Sequence, residues 1–375
     1  MNKICVAIDT SSMDRRPGMG TAIFTRSVIQ NLLPYRDVLD VTLVHRQSIP
    51  EDPIYKEFNE IIIPKIRTPK LSNLISDIWF YMTTKQHFDI YYYAHYHLPL
   101  SVVLAPAKKI VSMQYDGGDG KFHLSNALWL FWRWYIDAFI VSSQFGKEAL
   151  AHNRKVSAGK IHILFGGTES IFHPLTDPEA AKKTLLEKYQ IAVPYIVASG
   201  RLDPHKNILT LVRAYDILYK RHGVRLPLIV TGGVHEPEYS KLVLDEIKNL
   251  GLEKNIRILR VDRFQDMPLF YGLAEFMIFP SLREGFGLPL VEAMACGVPT
   301  IASRATSLVE VGGEATRFID PYDPSDIAEA MKEVLENKNG IRETLVTRGF
   351  EQAKKFTWQK HAEGVVELYK KLMNQ

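Results

Sequence analysis

Short apolar runs recur along the chain, separated by stretches of helical spacing, and this alternation limits the fold more than any other feature. In the first half the runs are Ile4–Ile8, Val41–Val44, Glu60–Ile63, Ile90–Tyr93, Lys109–Met113, Ala138–Ser142 and Lys160–Leu164. In the second half they are Tyr195–Ala198, Leu228–Val230, Ile256–Arg260, Phe276–Pro280 and Thr300–Ala302. Apolar runs without polar alternation suit strands buried on both faces. Alternating with helices, they predict an α/β chain of doubly wound parallel sheets with helices on both faces. At 375 residues the chain exceeds one ordinary domain, so two are expected. Pro174, Asp177 and Pro178 mark a linker. The first domain is therefore placed at residues 1–175 and the second at residues 176–356.

The stretch Ser281–Pro299, SLREGFGLPLVEAMACGVP, holds the densest chemistry. Glu284 and Glu292 are separated by seven residues, among them Gly285, Phe286, Gly287 and Leu288. Pro289 suits a first helical turn, where its missing N–H would have no partner. Gly297 followed by Pro299 reads as a helix stop. Glu284 then lies in a loop and Glu292 one to two turns into a helix. The helix start between them offers free N–H groups and partial positive charge to an anion. A second anion site is read at Gly200-Arg201-Leu202-Asp203-Pro204-His205-Lys206-Asn207, where a strand ends in glycine and two cations lie five apart. Gly200 lets a ligand approach the backbone, and Arg201 can grip phosphate with two bonds. Gly232, after the next strand, marks another ligand-side turn.

Near the N-terminus, Asp9 closes a strand, and Gly18 and Gly20 precede a helix. This is a phosphate or sugar site at a strand end, or a plain tight turn. A dinucleotide fingerprint fails, because Ile23 holds the place of the third glycine and the next strand ends in His45, not in an acid. His95 and His97 are too few for a metal site and are equally read as packed or surface histidines. The aromatic stretch Leu124–Phe139 reads as a buried helix or as a wedge for lipid headgroups.

The glutamate pair with GFGLP inside it resembles the E-x7-E motif of retaining glycosyltransferases of the GT-B fold, specifically the large family 4. Gly200–Asn207 matches the family's G-R-x-x-x-x-K-N motif, and Ser142–Lys147 resembles its opening of the last N-domain helix. The resemblance covers almost the whole chain and is strongest over residues 196–300. It implies two Rossmann-like domains facing a central cleft, with a terminal helix, residues 357–375, crossing back to the first. It implies transfer of a hexose from a nucleoside-diphosphate sugar to a hydroxyl of a glycan or lipid-linked acceptor. The C-terminal half is similar to cell-surface polysaccharide mannosyltransferases, which makes GDP-mannose the first donor expected and a UDP-sugar the alternative. A non-catalytic nucleotide-sugar or glycan-binding protein is the reading from another class.

On this resemblance Arg201, Lys206 and the helix start near Gly287 and Leu288 stabilise the leaving diphosphate. Glu292 holds the ribose hydroxyls, and Glu284 holds hydroxyls of the transferred sugar. Val261 meets the nucleotide base through its backbone. Gly285, Phe286, Gly232 and Gly200 complete the donor contacts, with Gly18 and Gly20 facing them across the cleft. His95, His97 and Tyr115 line the acceptor side. Many relatives carry a His-Asp pair where this chain has Gln114 or Tyr115 before Asp116, so Asp116 is left as a candidate sugar contact or base, or as a loop-capping aspartate. No D-x-D occurs, so neither metal nor cofactor is expected.

The net charge of +4 is small and lacks the concentrated basic stripe of a nucleic-acid binder. Two cysteines, Cys5 and Cys296, give no motive for a disulfide. Neither a signal peptide nor an apolar span is read. A cytoplasmic protein is expected, with peripheral association at the inner membrane face as a further option.

Overall fold

The structure is a computed structural model that describes residues 3–15, 20–46, 52–63, 72–94, 100–115, 131–261 and 263–374. The chain divides into two units, one of residues 1–166 with 358–375 and the other of residues 167–357.

The first unit holds seven strands, β1 Ile4–Asp9, β2 Leu39–His45, β3 Asn59–Ile62, β4 Phe88–Tyr93, β5 Ala107–Gln114, β6 Ala138–Val141 and β7 Ile161–Ile163. They pair in parallel in the order β3-β2-β1-β4-β5-β6-β7. The central strands are apolar on both faces because helices cover both, and Tyr91, Tyr92 and Tyr93 of β4 are all buried. Strand order reverses between β1 and β4, where Asp9 lies beside Tyr93. Open α/β sheets bind ligands at such a switch, outside the carboxyl ends of the strands.

The second unit holds β8 Ile196–Ser199, β9 Leu228–Thr231, β10 Ile256–Leu259, β11 Met277–Phe279, β12 Thr300–Ser303 and β13 Thr316–Ile319. They are parallel in the order β10-β9-β8-β11-β12-β13, with the switch between β8 and β11. Two apolar cores flank this sheet, one including Leu211, Tyr215 and Met331, the other including Phe270, Tyr271, Phe279 and Leu290.

The expected domain boundary near residue 175 falls nine residues later than the break between Gly166 and Gly167. The intervening residues have partners in the second unit: Phe172 is buried in its core, and Leu175 lies hard against Gly272. The helix Trp358–Met373 packs on the helix Gly20–Leu32 of the first unit. Trp358 meets Phe24 edge-on at 4.7 Å and His361 meets it at 5.2 Å. His361 is buried with Nδ1 2.9 Å from the Phe165 carbonyl, and desolvation holds its imidazole neutral with a pKa down to about 4.

Strand β13 and the helices Pro237–Asn249 and Ile341–Ala353 are additions to the sequence reading. The aromatic stretch also differs from a single helix. The described helical residues end at Tyr135, and Phe139 lies inside β6. There Trp132 is buried and Trp134 is 73% exposed. Among the described residues no helix is long and apolar enough to cross a membrane.

Candidate active site

The loops that leave β8 and β11 adjoin the switch point of the second sheet, and they carry Gly200–Lys206 and Pro280–Gly287. Leu282 N–H donates to the His205 carbonyl at 2.8 Å, which ties the two loops together. Asn207 sits at φ 58° and donates to the carbonyls of Pro280 at 3.2 Å and Pro321 at 2.7 Å. The loop after β8 is therefore set by a backbone bond to the loop after β11 and by the side-chain amide of Asn207.

At the centre, Lys206 Nζ donates to Glu284 Oε1 at 2.6 Å, with side chains 15% and 13% exposed. The ammonium also lies 5.0 Å from the centre of the Phe279 ring, whose face favours a cation. The Glu284 backbone is held on both sides of the residue. Its N–H donates to Thr306 Oγ1 at 3.1 Å, and its carbonyl accepts from Ser307 Oγ at 2.9 Å.

Gly287 caps the helix Leu288–Ala295 at φ 102°, a left-handed value that glycine adopts without strain. A Cβ there would stand 2.6 Å from Leu308. Four residues past Leu288, Glu292 is buried. Tyr271 OH lies 3.4 Å from Glu292 Oε2 and 3.2 Å from Ser199 Oγ at the end of β8. Burial pushes the Glu292 carboxyl up to about 8; the Tyr271 hydroxyl opposes this and the charge of Glu169 adds to it.

Arg201 is ion-paired to Asp203 at 3.0 Å, and its guanidinium lies 3.1 Å from His235 Nε2. His235 Nδ1 lies 2.6 Å from Asp203 Oδ1. Asp203 and His235 were missed in the sequence. Asp203 was visible as the acid two residues beyond Arg201, whereas His235 comes from the loop after β9. Gly232 lies in the turn between them. A Cβ on it would stand 2.3 Å from the Gly200 carbonyl carbon, so the turns after β8 and β9 touch through bare backbone. Gly232→Ala is expected to lower the unfolding free energy by about 3 kcal/mol, read by chemical denaturation.

The remaining sequence candidates fall in several places. Phe286 is buried and packs edge-on against Phe356 at 5.3 Å, so its ring anchors the loop from the core side. Gly285 lies in the same loop, and Val261 is half-buried after β10. In the first unit, Gly20 opens the helix Gly20–Leu32. The Tyr115 hydroxyl turns inward, 3.4 Å from both Thr25 Oγ1 and the Ala94 carbonyl, and its ring meets Phe24 edge-on. Gln114 is buried and donates to Ser112 at 2.8 Å. Gly18, His95, His97 and Asp116 lie outside the described residues.

The geometry places a cation, a half-buried carboxylate, a buried carboxyl and a helix start beyond the carboxyl ends of the neighbouring strands β8 and β11. Such a set can bind an anion and accept bonds from hydroxyls. Residues 182–356 match the family described as glycosyl transferases group 1. The O-antigen chain mannosyltransferase B of Escherichia coli is 37% identical over 190 residues, covering 50% of this chain and 49% of the relative. The chain spans about half or less of the length of the curated relatives it matches. A glycosyltransferase from Rickettsia africae superposes with a TM-score of 0.81 at 18% identity, over 100% of this chain and 99% of that one. Anabaena HepE in complex with UDP superposes with a TM-score of 0.77 at 19% identity, over 98% and 100% of the two chains. The fold is that of the GT-B glycosyltransferases, and residues 182–356 are similar to the glycosyl transferases of group 1.

Proposed function

We propose that this chain is a retaining glycosyltransferase that moves a hexose from a nucleoside-diphosphate sugar to a hydroxyl of a glycan or lipid-linked acceptor. The observation that carries this reading is the Lys206–Glu284 pair at the head of the helix that bears Glu292. As the glycosidic bond breaks, negative charge grows on the departing diphosphate. Lys206, Arg201 and the N–H groups at the start of Leu288–Ala295 offer fixed positive potential to it, so the proposed transfer needs no metal. Glu292 is proposed to hold the ribose and Glu284 the transferred sugar. For Glu284 to do so, Lys206 must turn from it toward phosphate. Arg201 likewise has to be shared between Asp203 and the donor.

The proposed donor is GDP-mannose, supported by the similarity to a mannosyltransferase over half the chain. A UDP-sugar is the second reading, favoured by the UDP bound to the HepE fold relative. The proposed setting is cytoplasmic and peripheral to a membrane. The exposed Trp134, with the Arg133 guanidinium 5.4 Å from its ring centre, supports a surface contact of that kind.

Thermal unfolding with GDP, UDP, ADP and dTDP, each with and without EDTA, tests the donor site. A nucleotide at about 100 times its dissociation constant adds roughly 2.7 kcal/mol of stability. The expected result is a shift with GDP that EDTA leaves unchanged. A shift with UDP alone replaces the donor, one abolished by EDTA overturns metal independence, and none with any nucleotide overturns the donor site.

A further inference from the structure

Thr306 holds φ 50° and ψ −136° at the start of the short helix Ser307–Gly312. Glycine dominates that region, because a Cβ crowds the backbone there, and a β-branched residue in it is strained. Among the described residues, five other non-glycine residues with positive φ, Lys155, Gln190, Asn207, Asn337 and Asn339, all sit in the ordinary left-handed helical region. Thr306 differs from them in what its side chain does. Its hydroxyl accepts the Glu284 N–H at 3.1 Å. The next hydroxyl, Ser307 Oγ, donates to the carbonyls of Glu284 at 2.9 Å and Phe286 at 3.1 Å. Two successive side chains of one strained turn thus fix the backbone on both sides of the carboxylate that Lys206 engages.

We propose that Thr306 is a positioning residue for Glu284, its hydroxyl fixing the Glu284 loop for sugar transfer while its backbone remains strained. Glycine at this place relieves the strain and cannot make the bond. Stability and positioning therefore move in opposite directions, which a residue present only for stability would not do. The assignment rests on the transferase reading for its consequence in turnover, but not for its effect on the loop.

The test compares Thr306→Gly, Thr306→Val and Thr306→Ser by thermal unfolding, by hydrogen exchange at the Glu284 amide and by donor turnover. Thr306→Gly is expected to unfold at or above the wild-type midpoint, exchange the Glu284 amide about 10-fold faster and lose about 10-fold in kcat with little change in KM. Thr306→Val, which keeps the strain without the hydroxyl, loses in all three. Thr306→Ser keeps the hydroxyl and stays near wild type in exchange and turnover. Wild-type exchange in Thr306→Gly, or a lowered midpoint for it, overturns the assignment. If the wild-type chain turns over no donor, the transferase reading fails by itself, and exchange and unfolding still decide the role of Thr306.

Discussion

Lys206→Ala is expected to lower donor turnover by about 10²–10³-fold, the size of effect seen when one group that stabilises developing charge is removed. Lys206 is the cation bound directly to Glu284, at 2.6 Å, and both side chains are mostly shielded from water. Its removal takes positive potential from the phosphate region and leaves the Glu284 carboxylate half-buried without its cation. The second effect destabilises the protein by about 3 kcal/mol, since an uncompensated buried charge costs more than the pair contributes. Lys206→Ala combined with Glu284→Ala should therefore recover part of that stability while remaining inactive. Turnover and denaturation on the two single variants and the double variant close the cycle. Additive stability losses would show that the pair does not interact as the geometry implies. Turnover left intact by both single changes would show that the site is elsewhere.

The second large effect is a dependence of stability on pH set by Glu292. Burial pushes its carboxyl from the ordinary 4.5 up to about 8 in the folded chain. Burial is the main cause; Glu169 and the Cys296 thiol are charged or titratable neighbours, and the Tyr271 hydroxyl is the polar group facing it. A folded value above the unfolded one favours the protonated form in the folded state. The stabilising contribution is thus fully present below about 4.5 and is lost as pH rises through about 8. Full loss amounts to about 5 kcal/mol at about 1.4 kcal/mol for each pH unit of difference. Glu292→Gln keeps the shape and removes the titration. Denaturation curves from pH 5 to 9 should show wild type losing stability steadily relative to Glu292→Gln. Parallel curves would mean that Glu292 is already ionised when folded.

Much of this site was legible in the sequence because its residues sit close together in the chain and at glycine-marked strand ends. Gly200 to Lys206, and Glu284 to Glu292, each follow one strand, so spacing alone placed loop and helix. Gly232 was readable as a turn, but its contact with the Gly200 backbone needed the pairing of β8 with β9. His235 and Thr306 were not legible for the same reason. Each reaches its partner from a different strand-end loop, and nothing local distinguishes them. Strand β13 escaped because Arg317 and Phe318 are only half-buried at the sheet edge, so the apolar run is broken. Phe286 read as a ligand contact by its place in the motif, and only the ring of Phe356 explains why it turns inward. The boundary at residue 175 followed the prolines, whereas Phe172 had already joined the second unit's core and Leu175 lies against Gly272.

The most direct measurement is release of nucleoside diphosphate from GDP-mannose and from UDP-hexoses by the whole chain, run beside Lys206→Ala with a glycan acceptor panel. Release from one donor by the wild type, falling about 10²-fold or more in Lys206→Ala, is the expected result. Equal release by the two proteins, or none from any donor, would contradict transfer at the Lys206–Glu284 site.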